Sequence, residues 1–165
     1  NNDAIQKSID DNMEWIKRAM DANGLVAAGP VRIVTTDFGA EKYAFDVALP
    51  VRKGSAAPAA AADKKDGEAD KAAAPAPVAA ADAGELSVKI PAGNPVTYSH
   101  VAPHRAASAS YTGHMAGLDL ARNGLRAWAT TMGNEVVDRP YESWKGGVAK
   151  AFTTDGSYDI YWAVK

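Results

Sequence analysis

The sequence predicts an α+β fold in which two helices pack on one antiparallel sheet, built from tandem copies of a strand–helix–strand–strand (βαββ) unit. Three observations carry this. Residues 3–51 and 115–164 share one order of elements: a helix, a proline-containing turn and two strands. Met13, Ile16 and Met20 match Leu125, Trp128 and Met132 at one constant offset, and Phe45, Val47, Leu49 and Val51 match Tyr158, Ile160, Trp162 and Val164 at another. The matched positions follow the helical period in the helices and alternate in the strands. Two copies of such a unit share one core, and the seam between them is a natural place for a pocket.

The first helix carries Ile5, Ile9, Met13, Ile16 and Met20 on one stripe, with Asn2 or Asp3 to cap it and Gly24 to end it. Gly29-Pro30 is a turn, and Val31–Thr36 and Tyr43–Val51 alternate as strands around a loop at Phe38-Gly39-Ala40. In the second copy Leu86–Ile90 and Val96–Val101 read as extended, and Arg105–Tyr111 reads as a strand leading into the next helix. Leu118, Ala121, Leu125, Trp128 and Met132 form that helix's stripe, which places Trp128 in the core, and Gly133 ends it. Trp15 lies just off its own stripe. Arg139-Pro140 and Gly146-Gly147 are turns, the second read as a hairpin. The first copy lacks its opening strand. Either the sequence starts after it, the favoured reading, or Leu86–Ile90 fills the place.

Residues 54–85 differ from both copies: alanine and proline dominate, and Val78 is the only large aliphatic side chain. Too little apolar surface is present to offset the entropy of ordering, so the segment reads as a disordered linker. The organisation is therefore 1–53 as the first repeat, 54–85 as linker and 86–165 as the second repeat, in one structural domain. The chain has 165 residues, a formal net charge of −2 and no cysteine. That balance gives no electrostatic footprint for nucleic acid, and the absence of thiols excludes disulfides and thiolate metal sites. No apolar run approaches the roughly 20 residues of a membrane span. No signal peptide is present, but Asn1 in place of Met reads as the removal of an upstream part. A cytoplasmic location is favoured, with membrane-anchored and periplasmic locations as alternatives.

Tyr111-Thr112-Gly113 before the second helix, Pro140-Tyr141-Glu142-Ser143-Trp144 after it and Tyr158-Asp159-Ile160-Tyr161-Trp162-Ala163-Val164 at the end resemble the GyrI-like small-molecule-binding superfamily, whose unit is SHS2-like. Its members include gyrase-inhibitor-like proteins and the effector-binding domains of bacterial MerR- and AraC-type multidrug-responsive transcription regulators. The resemblance implies a groove between the repeats, acidic and aromatic, into which the glutamate of the Pro-x-Glu-x-aromatic strand projects. That glutamate is Glu142, with Trp144 on its face of the strand. The acid of the final strand falls on Asp159, with Tyr161 beside it. Tyr111 and Met115 stand where the family often carries histidine and tyrosine, and Arg32 stands in the first copy where its twin has Glu142. An Arg32–Glu142 pair across the seam would neutralise the acid. The implied ligand is a hydrophobic molecule, with cations admitted while Glu142 is unpaired. The family's helix-turn-helix domain is not among these residues, so an upstream domain is one expectation.

The resemblance thus predicts a non-catalytic binding domain whose ligand residues are Glu142, Trp144, Tyr111, Met115, Asp159, Tyr161 and Arg32, with no cofactor. The alternative is a hydrolase in which Glu142 activates water, and a further alternative is a protein-interaction module. Trp144 and Tyr161 are the preferred aromatic candidates because they share a face with the acids and not with the apolar set. Trp162 is structural. His100, His104 and His114 do not have metal-ligand spacing, and Ser108, Ser110 and Ser143 lack the Gly-x-Ser-x-Gly context of a nucleophile.

Overall fold

In a computed structural model, described over residues 2–38, 43–54 and 84–165, the first helix, α1 (Asn2–Asn23), turns its isoleucine stripe onto a sheet. Ile9 and Ile16 are buried, Ile5 and Met13 pack at the margin, and Asp3 stands in the first turn, where its charge suits the helix dipole. Gly24 follows at φ 62°, the left-handed residue that ends the helix. The solvent face of α1 is laced with Lys7–Asp11 and Glu14–Arg18 ion pairs at 2.7 and 2.9 Å.

The remaining elements are β1 (Leu25–Ala27), β2 (Arg32–Phe38), β3 (Tyr43–Ala48), β4 (Val51–Lys53), β5 (Ala106–Thr112), a 3-10 turn (Met115–Gly117), α2 (Leu118–Thr131), β6 (Tyr141–Trp144), α3 (Val148–Ala151) and β7 (Ser157–Ala163). Five strands form one antiparallel sheet in the order β3-β2-β6-β7-β5. The fold is α+β, as the sequence predicts at that level. The helices cover one face of the sheet, and the core lies between. One row of paired residues crosses all five strands on that inner face: Val47, Ile33, Glu142, Ile160 and Ala109. Among the described residues no helix is long and apolar enough to cross a membrane.

Several sequence expectations are corrected. The strand Tyr43–Val51 breaks at Leu49-Pro50, because Pro50 has no N–H for a ladder. Its carbonyl accepts from Ala28 N at 2.8 Å, and β4 beyond it pairs with β1 in a separate two-stranded ladder. Leu86–Ile90 and Val96–Val101 join no ladder. The segment from Lys89 to Asn94 lies against α1 instead, where the Asn23 side chain exchanges hydrogen bonds with the backbone of Lys89 (2.8 Å each) and Asn94 Nδ2 donates to Trp15 O. Leu86–Ile90 therefore does not fill an opening strand beside β3. Gly146-Gly147 leads into α3 and not into a tight hairpin. The expected loop and linker fall largely on residues 39–42 and 55–83, outside the described residues.

The phase of α2 also differs. Its buried residues are Leu118, Arg122, Leu125 and Ala129, while Trp128 is 54% and Met132 61% exposed. A hydrophobic template rejects an arginine from a stripe, so it selected Trp128 and Met132 instead. Gly133, at φ 78°, ends the helix with hydrogen bonds from Gly133 N to Thr130 O and from Asn134 N to Ala129 O.

Ile9 is wholly buried under the first helix, whereas Trp15 on the same helix is 37% exposed and lies beside the Arg18 guanidinium. Ile9→Ala is expected to lower unfolding free energy by about 2–5 kcal/mol, and Trp15→Ala by a clearly smaller amount. Denaturant titration of both variants checks the order.

Candidate functional site

Glu142 occupies the middle strand of the five, on the inner face, and is 0% exposed. A carboxylate there requires a partner, because desolvation of a lone charge is costly. The partner is Arg122 of α2: Nε donates to Oε1 at 2.6 Å and Nη2 to Oε2 at 3.0 Å. This two-bond fork matches guanidinium to carboxylate geometry. Asp119, one turn back on α2, adds a second acid 3.6 Å from Arg122. The Arg32–Glu142 pair that would have neutralised the acid does not form among the described residues, for a geometric reason. Arg32 stands opposite Ser143, one residue out of register, so it projects from the other face.

Parity along the strands divides the predicted site. Glu142 and Trp144 face the helices together with Tyr111, while Arg32, Asp159 and Tyr161 lie on the outer face. Met115 opens the 3-10 turn and packs against the core margin. Trp144 therefore does share a face with the apolar set: it is 1% exposed, edge-on to Tyr158 at 5.6 Å and to Phe152 at 6.5 Å. Tyr111 stacks on Tyr158 at 5.8 Å, and its hydroxyl donates to His114 O. This packing needs Gly117, where a Cβ would collide with the Tyr111 hydroxyl. Tyr158 donates to Ala151 O, and burial, with help from Tyr111, pushes its phenol up to about 12.

Between α1 and the strands lies a narrow gap lined by Ile5, Ile9, Ile33, Phe45 and Trp144, with no room for a water molecule. Two buried side-chain polar atoms have no hydrogen-bond partner among the described residues. One is Trp144 Nε1; the other is Thr35 Oγ1, on the residue paired with Phe45. Buried donors without partners are rare in folded proteins. Arg122, Thr35 and the isoleucines of the seam were missed as site residues by sequence reasoning. For Arg122 the signal was its 4-3-4 spacing with Leu118, Leu125 and Ala129.

On the outer face Tyr141 and Tyr161 stack at 5.2 Å, with the Arg32 guanidinium 5.3 Å from the Tyr141 ring. Asp159 accepts from Ser110 Oγ at 2.7 Å and pairs with Lys145 at 2.8 Å. Of the histidines, His114 Nδ1 accepts from Ala116 N and so caps the 3-10 turn, and His104 Nδ1 contacts its neighbour Ala102 O. No protein-family model matches this chain, and no curated protein is similar to it. The side chains themselves therefore carry the functional argument.

Two tests follow from these pairs. Arg122→Leu or Glu142→Leu alone strands a buried charge and is expected to cost about 3–5 kcal/mol, whereas the double variant recovers most of that loss. Equilibrium unfolding of the three variants in a double-mutant cycle measures it. On the outer face, burial raises the Asp159 carboxyl, but hydrogen bonds from Lys145 and Ser110 and the lysine charge outweigh it, so the group sits below its ordinary value. A depressed acid adds stability above its unfolded value, about 3.9, and loses it as pH falls through the lower folded value. The melting-temperature deficit of Lys145→Ala is thus expected at pH 7 and should close toward pH 2, as read by thermal melts across that range.

Proposed function

We propose that the chain is a small-molecule-binding domain whose ligand enters the seam between α1 and the central strands β2 and β6. The observation that carries this is the gap at Ile5, Ile9, Ile33, Phe45 and Trp144, together with a buried Trp144 indole N–H that has no acceptor among the described residues. A site of this kind suits a largely apolar ligand with one hydrogen-bond acceptor. The gap has no room even for a water molecule, so the ligand has to move α1 outward. The margin of that helix at Ile5 is only partly buried, which gives the movement a direction.

The finer reading of the fold belongs to this proposal. Each helix of the pair α1 and α2 precedes an antiparallel strand pair, β2–β3 or β6–β7, and the two pairs meet side by side at β2 and β6. This supports a tandem βαββ arrangement in which β5 opens the second copy and has no counterpart in the first among the described residues. The resemblance to the GyrI-like superfamily supports it at the level of motif order, and there too the ligand lies at the seam. One inference from that family is changed. Both oxygens of Glu142 are held by Arg122, so the acid offers no net charge to a cation, and the proposed ligand is neutral. The hydrolase alternative gains nothing from this geometry, since Glu142 is 0% exposed and its charge is held by the Arg122 guanidinium.

Toluene and acetophenone test the reading, because they share a ring and differ by one carbonyl acceptor. The four tryptophans give four indole N–H signals by nuclear magnetic resonance, and Trp144→Phe identifies its own. Acetophenone is expected to shift the Trp144 signal and to bind about tenfold tighter than toluene, the worth of about one hydrogen bond to a buried donor. No movement of that signal at millimolar probe would sink the proposal.

A further inference from the structure

The two long helices cover the same sheet face but present different surfaces to solvent. Along α1 the outer side carries Lys7, Asp10, Asp11, Glu14 and Arg18, and the segment around Lys89 and Asn94 lies against its C-terminal half. Along α2 the outer side is Leu120, Asn123, Gly124, Ala127, Trp128 and Thr131, all exposed and none charged. Leu120 is 80% and Trp128 54% exposed. The charges of α2 are withdrawn from this side: Arg122 is buried on Glu142, Asp119 leans to Arg122, and Arg126 lies 6.0 Å from the Trp162 ring. A helix exposing leucine and tryptophan with no charge between them marks an interaction surface.

The pattern also indicates the occupant. Gly124 is the midpoint, with Leu120 four residues before it and Trp128 four residues after. If a second α2 crosses antiparallel at Gly124, Leu120 of each copy meets Trp128 of the other, which is the self-complementary arrangement of a two-fold interface. Residues four apart form the ridges used in the commonest helix packing. Space beyond Gly124 is open, with nothing within 4 Å of an added Cβ, so two backbones can approach closely there. An uncharged face meets its own copy without like-charge repulsion. A membrane is a poorer occupant, because membrane-surface helices flank their apolar side with lysine and arginine, and α2 supplies only Arg126 near its flank.

We infer that the outer face of α2 is a homodimer interface, with two α2 helices crossing antiparallel at Gly124. Helix-on-helix contact buries less than the roughly 1,200–2,000 Å² of a standard interface, so the dimer is weak and reversible. Sedimentation equilibrium of the full chain is expected to show mass rising with concentration from 17.2 kDa toward twice that value. Gly124→Arg places two cations at the crossing. It should keep the chain monomeric up to about tenfold above the wild-type Kd without lowering its melting temperature. The chain has no cysteine, so Gly124→Cys carries a single thiol. Oxidation should give a disulfide-linked dimer, as facing Cα atoms within about 7 Å permit, whereas Asp10→Cys on α1 should not. The inference is overturned if the wild type is monomeric at 500 µM. It is also overturned if Gly124→Arg dimerises like the wild type, or if the wild type binds neutral phosphatidylcholine vesicles while remaining monomeric.

Discussion

The Arg122–Glu142 pair is the interaction on which the rest of the arrangement depends. It joins α2 to the middle strand of the sheet by two short hydrogen bonds at a point of the inner face where a charge stands between aliphatic side chains. Such a pair adds little net stability compared with hydrophobic residues of the same shape, because both ions lose their hydration. Its stronger effect is on uniqueness. Rotation of α2 by one residue, or a slip of β6 against β2, would bury either ion alone. The helix phase, the strand register and the division of the sheet into two faces are fixed together by this one contact.

The two faces then differ in chemistry. Inside, Trp144, Tyr158 and Tyr111 make a continuous aromatic packing toward the 3-10 turn, and their placement relies on backbone without side chains at Gly117 and Gly156, where a Cβ would meet tyrosine hydroxyls. Outside, the Tyr141–Tyr161 stack, Arg32 and the Ser110–Asp159–Lys145 chain remain in contact with solvent. Residues adjacent in sequence, such as Glu142 and Ser143 or Asp159 and Ile160, thus serve opposite sides of one sheet.

Much of this organisation was legible in the sequence, and its limits have physical causes. The isoleucine stripe of α1, the glycines ending both helices and the alternation in β2, β3 and β7 depend on local periods and were readable. So was the pairing by face of Glu142 with Trp144 and of Asp159 with Tyr161, since parity along a strand needs no partner. Which face points inward did need one. Only the register that sets Glu142 between Ile33 and Ile160 shows that the acid faces the core. The phase of α2 was misread because Arg122 counts as polar alone and becomes interior only with its acid. The short β1–β4 ladder was not readable either, since three-residue strands give no period.

The unpartnered atoms of Thr35 and Trp144 have a consequence for the protein's margin of stability. A buried polar group without a partner costs about 1–3 kcal/mol, against a total of about 5–15 kcal/mol for a typical domain. The chain therefore stands below the stability that its own packing would otherwise reach. On the proposed function, a molecule that supplies an acceptor to the Trp144 indole removes part of that deficit in addition to the mass-action gain of any ligand. Resistance to heat then becomes, on that proposal, a property that reports whether the seam is occupied.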